Sequence, residues 1–411
     1  MFRAKRPFRL FMLSLFNGLL MLCLSLYWQG LPYTFGDEAF LIKWTALTKK
    51  SLLGMDKKPP PESVLLVDIS GNKALLPQKN IFEEDSKYNR LVITDRGDMA
   101  EFLAMLAPYR EQTRAVLLDV LFDQASPKDT LLQREVDMAQ HKLLAVNRID
   151  AKGKVDTSVI QFDHQAIVTY RAAEGLFLKY PLIMGDSLPT APLLLFERLH
   201  QKKLDASGWF YRFPEGISLR NPIVDFKVRD SDFRVGQDLE ESNFHVWPLG
   251  ELLEAREYME EKDIAALFEG KIVFVGDFKN DVHATPFGDS PGILLIYNAY
   301  LTLADRSNLV SIWWLLLLLT GFTLISWRIF NDIEFTPPSW LQYLFRSKLA
   351  QWLLEAIDEA VLLIGLTVLS YFLFNVHVNI LILLIYCKIV DFLWNRFRQR
   401  FFVSSPKSPQ S

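Results

Sequence analysis

Acidic side chains recur at one kind of place in this chain: directly after short apolar runs. Asp68 closes Ser63 to Ile69 (SVLLVDI), Asp119 and Asp123 fall within and just after Ala115 to Phe122 (AVLLDVLF), and Asp277 and Asp281 follow Lys271 to Gly276 (KIVFVG). Such runs read as strands buried on both faces. Open parallel sheets bind ligands beyond the carboxyl ends of their strands. Asp68, Ser70, Asp119, Asp123, Asp281 and Thr285 are therefore candidate lining residues of one ligand-binding or cation-binding crevice. The same residue types also cap helices and satisfy loop amides, and the sequence leaves both roles open.

Other constellations carry less. Gly185-Asp186-Ser187-Leu188 spells the opening of the GDSL hydrolase motif, but it lies at mid-chain before Pro189, and no Asp-x-x-His follows to complete a triad. A turn and a helix start are expected there. No dinucleotide, phosphate-loop, G-x-S-x-G or H-E-x-x-H motif occurs. Of the six histidines, only His164 beside Asp163 and His283 two residues after Asp281 stand close to an acid. No catalytic residue, metal site or cofactor is expected.

The elements that position these residues alternate. Strand Ser63 to Ile69 is followed by a helix from Asp95 to Tyr109, capped by Thr94 or Asp95. Strand Ala115 to Phe122, a helix from Asp129 to Gln140 and a strand leading from His141 to Val146 come next. This order predicts a parallel sheet with right-handed crossovers. A helix over Pro192 to Leu204, an antiparallel strand over Arg220 to Val228, a helix over Leu249 to Phe268 and strand Lys271 to Gly276 follow. A helix over Ile293 to Leu303 then runs almost without a break toward Leu309. Phe35 to Lys50 is expected to be an amphipathic helix. The fold class expected is α/β, a Rossmann-like, mainly parallel extracytoplasmic sheet with an antiparallel portion, plus four transmembrane helices.

Composition supports that partition. Half of the 411 residues are hydrophobic and only 23% are charged, too apolar for a purely soluble protein of this length. The excess sits at the two ends. Leu10 to Trp28 and Leu309 to Trp327 each hold 19 residues without a charge. Further spans are expected over 354–374 and 377–394, with 328–353 as a loop between them and the second span. Basic residues flank the first span at Arg3, Lys5, Arg6 and Arg9, lie between the second and third at Arg328, Arg346 and Lys348, and follow the fourth at Arg396, Arg398 and Arg400. The positive-inside rule puts residues 1–9, 328–353 and 395–411 in the cytoplasm and 32–307 outside. In the last hairpin, Asp358 is expected near Asn395 and Arg396, Glu355 near Arg398, and Lys388 snorkelling inward. Residues 32–307 hold 33 basic and 42 acidic side chains, a balance of −9 that argues against nucleic acid as a partner. The two cysteines, Cys23 and Cys387, lie in the apolar ends, so the central domain has neither disulfides nor a thiolate zinc site.

Three stretches together resemble the second type of CHASE domain, the extracellular sensory domain associated with cyclases and histidine kinases. They are Ser63 to Ile69; Thr94-Asp95-Arg96 leading through a helix into Ala115 to Phe122; and Gly270 to Gly276 with Asp281, Thr285-Pro286, Pro291-Gly292 and Tyr297-Asn298-Ala299. The resemblance spans roughly residues 35–305, and the membrane layout matches. Asn298 stands where the family often carries histidine, and a Trp-Pro-Trp-like cluster before Arg96 is missing. The resemblance implies a sensory or regulatory subunit of the bacterial cytoplasmic (inner) membrane, with a periplasmic domain that recognises a small-molecule signal or a protein partner. Residues 395–411 and the loop 328–353 are too short for a catalytic output domain, so signal transduction would run through a separate effector. The alternative is a structural or assembly subunit of a cell-envelope complex.

Overall fold

The computed structural model describes residues 5–31, 36–55, 57–77, 90–150, 153–168, 175–185, 187–206, 210–233, 244–331, 333 and 348–402. Its centre is a six-stranded sheet. In chain order the strands are β1 (Val64–Asp68), β2 (Ala115–Leu118), β3 (Leu143–Asn147), β4 (Gln165–Ile167), β5 (Val246–Pro248) and β6 (Ile272–Gly276). In space the order is β5-β1-β6-β2-β3-β4, and every neighbouring pair is parallel. The late strand β6 slots between β1 and β2, so the two strands that come first in sequence are not neighbours. Antiparallel pairing is confined to separate hairpins, such as Lys73–Pro77 with Arg90–Thr94 and Val282–Thr285 with Gly288–Pro291.

Alternation along each strand divides the core. Leu65, Val67, Val116, Leu118, Val273 and Val275 face α3 (Arg96–Leu106), α4 (Asp129–Ala139), α6 (Leu249–Ala255) and α7 (Glu261–Phe268). Leu66, Leu117, Leu144, Val146 and Phe274 face α5 (Ala191–His200) and α8 (Gly292–Ala304). The result is a three-layer α/β/α domain, as expected for runs buried on both faces. Asp95 caps α3, accepting from Gly97 N at 2.7 Å and Asp98 N at 3.3 Å.

Three expected elements differ. The helix over Leu249 to Phe268 is two helices, broken where Glu260 turns extended. The strand over Arg220 to Val228 is an extended segment with a single antiparallel bridge, Lys179 to Ile223. Pro222 has no amide to give to a ladder; Val224 N still donates to Leu178 O, but α8 captures amides beyond it: Thr302 accepts from Asp225 N, and Asn298 from Lys227 N and Val228 N. Asn298, buried, also donates to the carbonyls of Val228 and Leu294. The strand over Ala115 to Phe122 leaves the sheet at Asp119.

The nearly continuous helix from α8 toward the membrane is also overturned. α8 ends at Ala304 in a Schellman motif, with Ser307 N bonded to Thr302 O and Arg306 N to Leu303 O, both at 3.0 Å. Arg306 takes the left-handed conformation at φ 60°. The connector is then stitched to the hairpin Tyr211–Phe213/Gly216–Ser218: Leu219 N donates to Asn308 O, Val310 N to Ile217 O and Asn308 Nδ2 to Ser218 Oγ. An L side chain in that conformation costs about 1–2 kcal/mol, while glycine loosens the unfolded chain. Arg306→Gly is therefore expected to stabilise the full chain by about 0.5–1 kcal/mol, read as a raised melting temperature in detergent.

Four long helices form a bundle beneath this domain: α1 (Lys5–Gln29), α9 (Ile312–Asn331), α10 (Lys348–Phe374) and α11 (Ile380–Phe402). Gly18 brings α1 so close to α9 that an added Cβ would lie 2.9 Å from the Thr323 backbone nitrogen. Asn17 on α1 donates to Ser326 on α9 and accepts from Tyr386 on α11. Among the described residues, two helices are long and apolar enough to cross a membrane, Pro7–Gln29 and Ile312–Asn331, where four spans were expected. The apolar part of α10 is the shorter Glu359–Phe374, and α11 carries Lys388, Asp391, Arg396 and Arg398. Lys388 does not snorkel alone; it pairs with Glu359 at 3.3 Å. The side chains of Glu355 and Asp358 lie outside the described residues.

The short helix α2 (Gly36–Leu47) lies between domain and bundle, continued by one π-turn over Thr48–Leu52. Its Ala39, Ile42 and Ala46 pack with Leu178 and Ile223 of the domain and Tyr371 of α10.

Candidate functional site at the strand ends

The carboxyl ends of β1, β6, β2 and β3 place Asp68, Asp277, Asp119 and Arg148 along one rim. Asp119 follows β2 directly, its amide still bonded to Val275 O at 2.8 Å. Its Oδ2 is shut off from solvent and, among the described residues, has no hydrogen-bond partner. Burial, and then the negative charge of Asp281, push its carboxyl up to about 7; Arg148 and His283 pull it down, and Asp277 pushes it further up. Asp281 faces His283, Oδ1 to Nε2 at 3.1 Å. It sits over the start of α8, where Gly292 leaves no room for a Cβ beside the carboxylate and donates its amide to Asp281 O at 2.8 Å. Asp277 behaves oppositely. Burial would raise it, but Lys73 at 2.7 Å, Asn280 and two loop amides hold its carboxyl at about 2.

The other expected residues have local partners. Asp68 Oδ1 accepts from Ser70 N at 2.8 Å and Phe278 N at 3.1 Å, and its Oδ2 accepts from Ser70 Oγ at 2.7 Å. The Asp68–Ser70 turn thus ties β1 to the loop after β6. Thr285 is buried in its hairpin, donating to Gly288 O at 2.6 Å and accepting from Phe287 N. Asp123 is exposed on the loop after β2, where its charge acts on Arg96. Of the six, Asp119 and Asp281 are brought together, joined by Asp277, Arg148 and His283. In the GDSL-like stretch, Gly185 at φ 57° turns the chain between Ile183–Met184 and Leu188–Pro189; Asp186 lies outside the described residues. Among the described residues no three His, Cys, Asp or Glu side chains gather as metal ligands would.

Two features were not legible as site residues. Arg96 is fully buried at the start of α3, its guanidinium 4.4 Å from the centre of the Phe122 ring and 3.5 Å from Asp129. It thereby holds the loop that carries Asp119 and Asp123. Burial lowers its pKa, with Asp129, Asp123 and Asp95 opposing. The second is the pair of consecutive residues Lys179 and Tyr180. The Tyr180 hydroxyl is held well above its usual range by burial and by the charge of Asp119. Lys179 reaches the other way, to Glu38 on α2 at 2.6 Å, both side chains almost wholly buried. A lysine in the apolar run Leu176 to Tyr180 and an acid in apolar α2 were the only hints.

The structure is thus a three-layer parallel α/β domain between two long apolar helices, with a group of charged side chains at its strand ends. The model of the CHASE2 domain matches residues 16–330, from within α1 to the end of α9. The chain belongs to the CHASE2 family of sensory domains. No curated protein and no solved structure matches it.

Proposed function

We propose that this protein is a membrane-anchored sensory subunit of the bacterial cytoplasmic membrane. Residues 32–307 face outward, both termini face the cytoplasm, and the subunit acts through a separate effector. The observation that carries this reading is the placement of two consecutive residues. Tyr180 lies within the field of Asp119 at the strand ends, and Lys179 is paired with Glu38 above the helix bundle. A signal or partner bound at the group formed by Asp119, Asp281 and His283 would move a segment already tied to the membrane side. Asp68, Ser70, Asp123 and Thr285 shape the surrounding loops.

The route differs from a rigid rod. With α8 capped and its connector stitched to a hairpin, the segment 177–182 and α2 form the path toward α10 and α11. Hydrogen exchange of the full chain in detergent tests this. Asp119→Asn, which alters the strand-end charge without touching α2, is expected to change protection in 177–182 and in α2. Unchanged protection in α2 refutes the path. Capture from membranes in mild detergent tests the role: a signalling effector among the captured proteins supports the sensory reading, and envelope structural proteins alone would replace it with an assembly role.

A further inference from the structure

Helix α2 presents large apolar side chains on two opposite sides, and only one of them is covered. At 100° per residue, Glu38, Ala39, Ile42, Thr45 and Ala46 form the side buried against the domain and α10. The opposite side is made by Phe40, Trp44 and Leu47, with Lys43 at one flank and Asp37, in the first turn, at the other. Phe40 and Trp44 stack edge to face with centroids 6.2 Å apart. The ridge continues past the π-turn: Leu52, Leu53 and Met55 are, like Phe40 and Trp44, each more than half exposed. Five large apolar side chains bared within 16 residues contrast with the rest of the central domain, where exposed apolar residues such as Leu131, Ile217 and Tyr258 stand apart in sequence. A bare apolar patch of this kind marks an interaction surface.

What covers the ridge follows from where α2 sits. Six residues separate it from Gln29, the end of the first span. Asn379 Nδ2, just before α11, donates to Glu38 at 3.2 Å, and Tyr371 in the last turn of α10 packs on its inner side. Partly buried Leu41 joins the apolar cluster of the bundle itself. α2 thus lies at the level of the outward ends of α1, α10 and α11, where Tyr27 and Leu373 of that bundle are bare as well. Tryptophan, phenylalanine and a flanking lysine are the residue types that settle at the boundary between headgroups and acyl chains.

We infer that α2 and its π-turn are an interfacial helix, whose Phe40, Trp44, Leu52, Leu53 and Met55 rest in the outer headgroup–acyl boundary of the bilayer. The lipid surface is therefore in direct contact with the element that also carries Glu38, the partner of Lys179. This rests on the membrane-anchored reading, and the experiment separates the two.

In the full chain, with Cys23 and Cys387 replaced by alanine, single cysteines at Phe40 or Trp44 are spin-labelled and the protein is placed in phospholipid nanodiscs. Accessibility is read to oxygen, which partitions into lipid, and to a water-soluble nickel complex. A label at Tyr258 is the aqueous reference and one at Leu324 on α9 the lipid reference. The expected result is high oxygen and low nickel accessibility at 40 and 44, with an oxygen-to-nickel ratio several-fold above that at 258. High nickel accessibility at 40 and 44, with 324 remaining lipid-like, overturns the interfacial helix alone. Low accessibility to both reagents means a second copy or another protein covers the ridge, and overturns it equally. High nickel accessibility at 324 defeats the membrane-anchored reading itself. Should labels at 40 and 44 perturb folding, positions 52 and 53, outside the α2 packing face, carry the same test.

Discussion

Lys179→Met is expected to destabilise the full chain by about 3–5 kcal/mol, because it leaves Glu38 charged and buried without its cation. Lys179 and Glu38 are 2.6 Å apart and almost completely withdrawn from solvent. Buried this far from solvent, the pair depends on the Coulomb attraction between the two charges. Removing both charges is a smaller change than removing one. Glu38→Gln keeps the amide contact available to Asn379 and, combined with Lys179→Met, is expected to restore at least half of the lost stability. Melting of the two single variants and the double variant in detergent closes the cycle. Additive losses in the double variant would mean that the two side chains act independently and that the junction is held by Ala39, Ile42 and Tyr371 packing alone.

The second large effect belongs to Asp119 and to pH. Its carboxyl is pushed up to about 7 by burial first and Asp281 second, whereas an unfolded aspartate titrates near ~3.9. Between these values the folded protein keeps a proton that the unfolded chain has released. Stability therefore falls as pH rises from about 4 to 7 and stays at the lower level above that window. Asp119→Asn removes the titration. It is expected to flatten the pH dependence across the window and to leave the variant more stable than the native chain above neutrality, by a few kcal/mol at roughly 1.4 kcal/mol per pK unit. His283 faces Asp281 at 3.1 Å and its charge acts on Asp119, so His283→Gln is the control that isolates Asp119. A variant that melts lower at every pH with the slope intact would show that Asp119 is a structural tie and not a strained carboxyl. For a recognition site the consequence is direct: near neutral pH this group is poised between donor and acceptor, and a bound cation or basic group would draw it to the charged form.

Asp277 is a useful contrast, only a few residues away in the same rim. Lys73 comes from the hairpin after β1, and three loop donors sit on Asp277, so it stays ionised where Asp119 does not. The two aspartates follow the same kind of apolar run, and nothing in either run distinguishes them. The difference is made by which loop folds over each strand end.

Much of the fold was legible. Runs such as VLLVD and IVFVG must be buried on both faces, because no alternation leaves a polar side; that requires helices above and below and makes the sheet parallel. The helix over Arg96–Leu106 was readable from its apolar spacing and the capping aspartate before it. The family resemblance rested on the same stretches, and the match over residues 16–330 confirms it. Of the four spans expected, those in α1 and α9 match helices long and apolar enough to cross a membrane, because each holds an unbroken apolar run; α10 and α11 do not meet that length and apolarity, their charges finding partners only in the fold, as Lys388 does with Glu359.

Sequence alone determined what depends on neighbours along the chain: the apolar runs, the caps, the cysteine-free acidic middle and the candidate carboxylates at strand ends. Tertiary structure alone decided what depends on partners far apart in sequence. It placed β6 between β1 and β2, so that Asp281 came to face Asp119. It drew the amides near Val228 to Asn298 instead of to a strand. It ended α8 at Ala304, where the hairpin at Ser218 could hold the connector. It also set Lys179 against Glu38, 141 positions earlier in the chain. The physical reason is the same in each case. Periodicity and propensity act over a turn or a strand, whereas burial and charge pairing are settled by whichever surfaces the packed layers bring into contact.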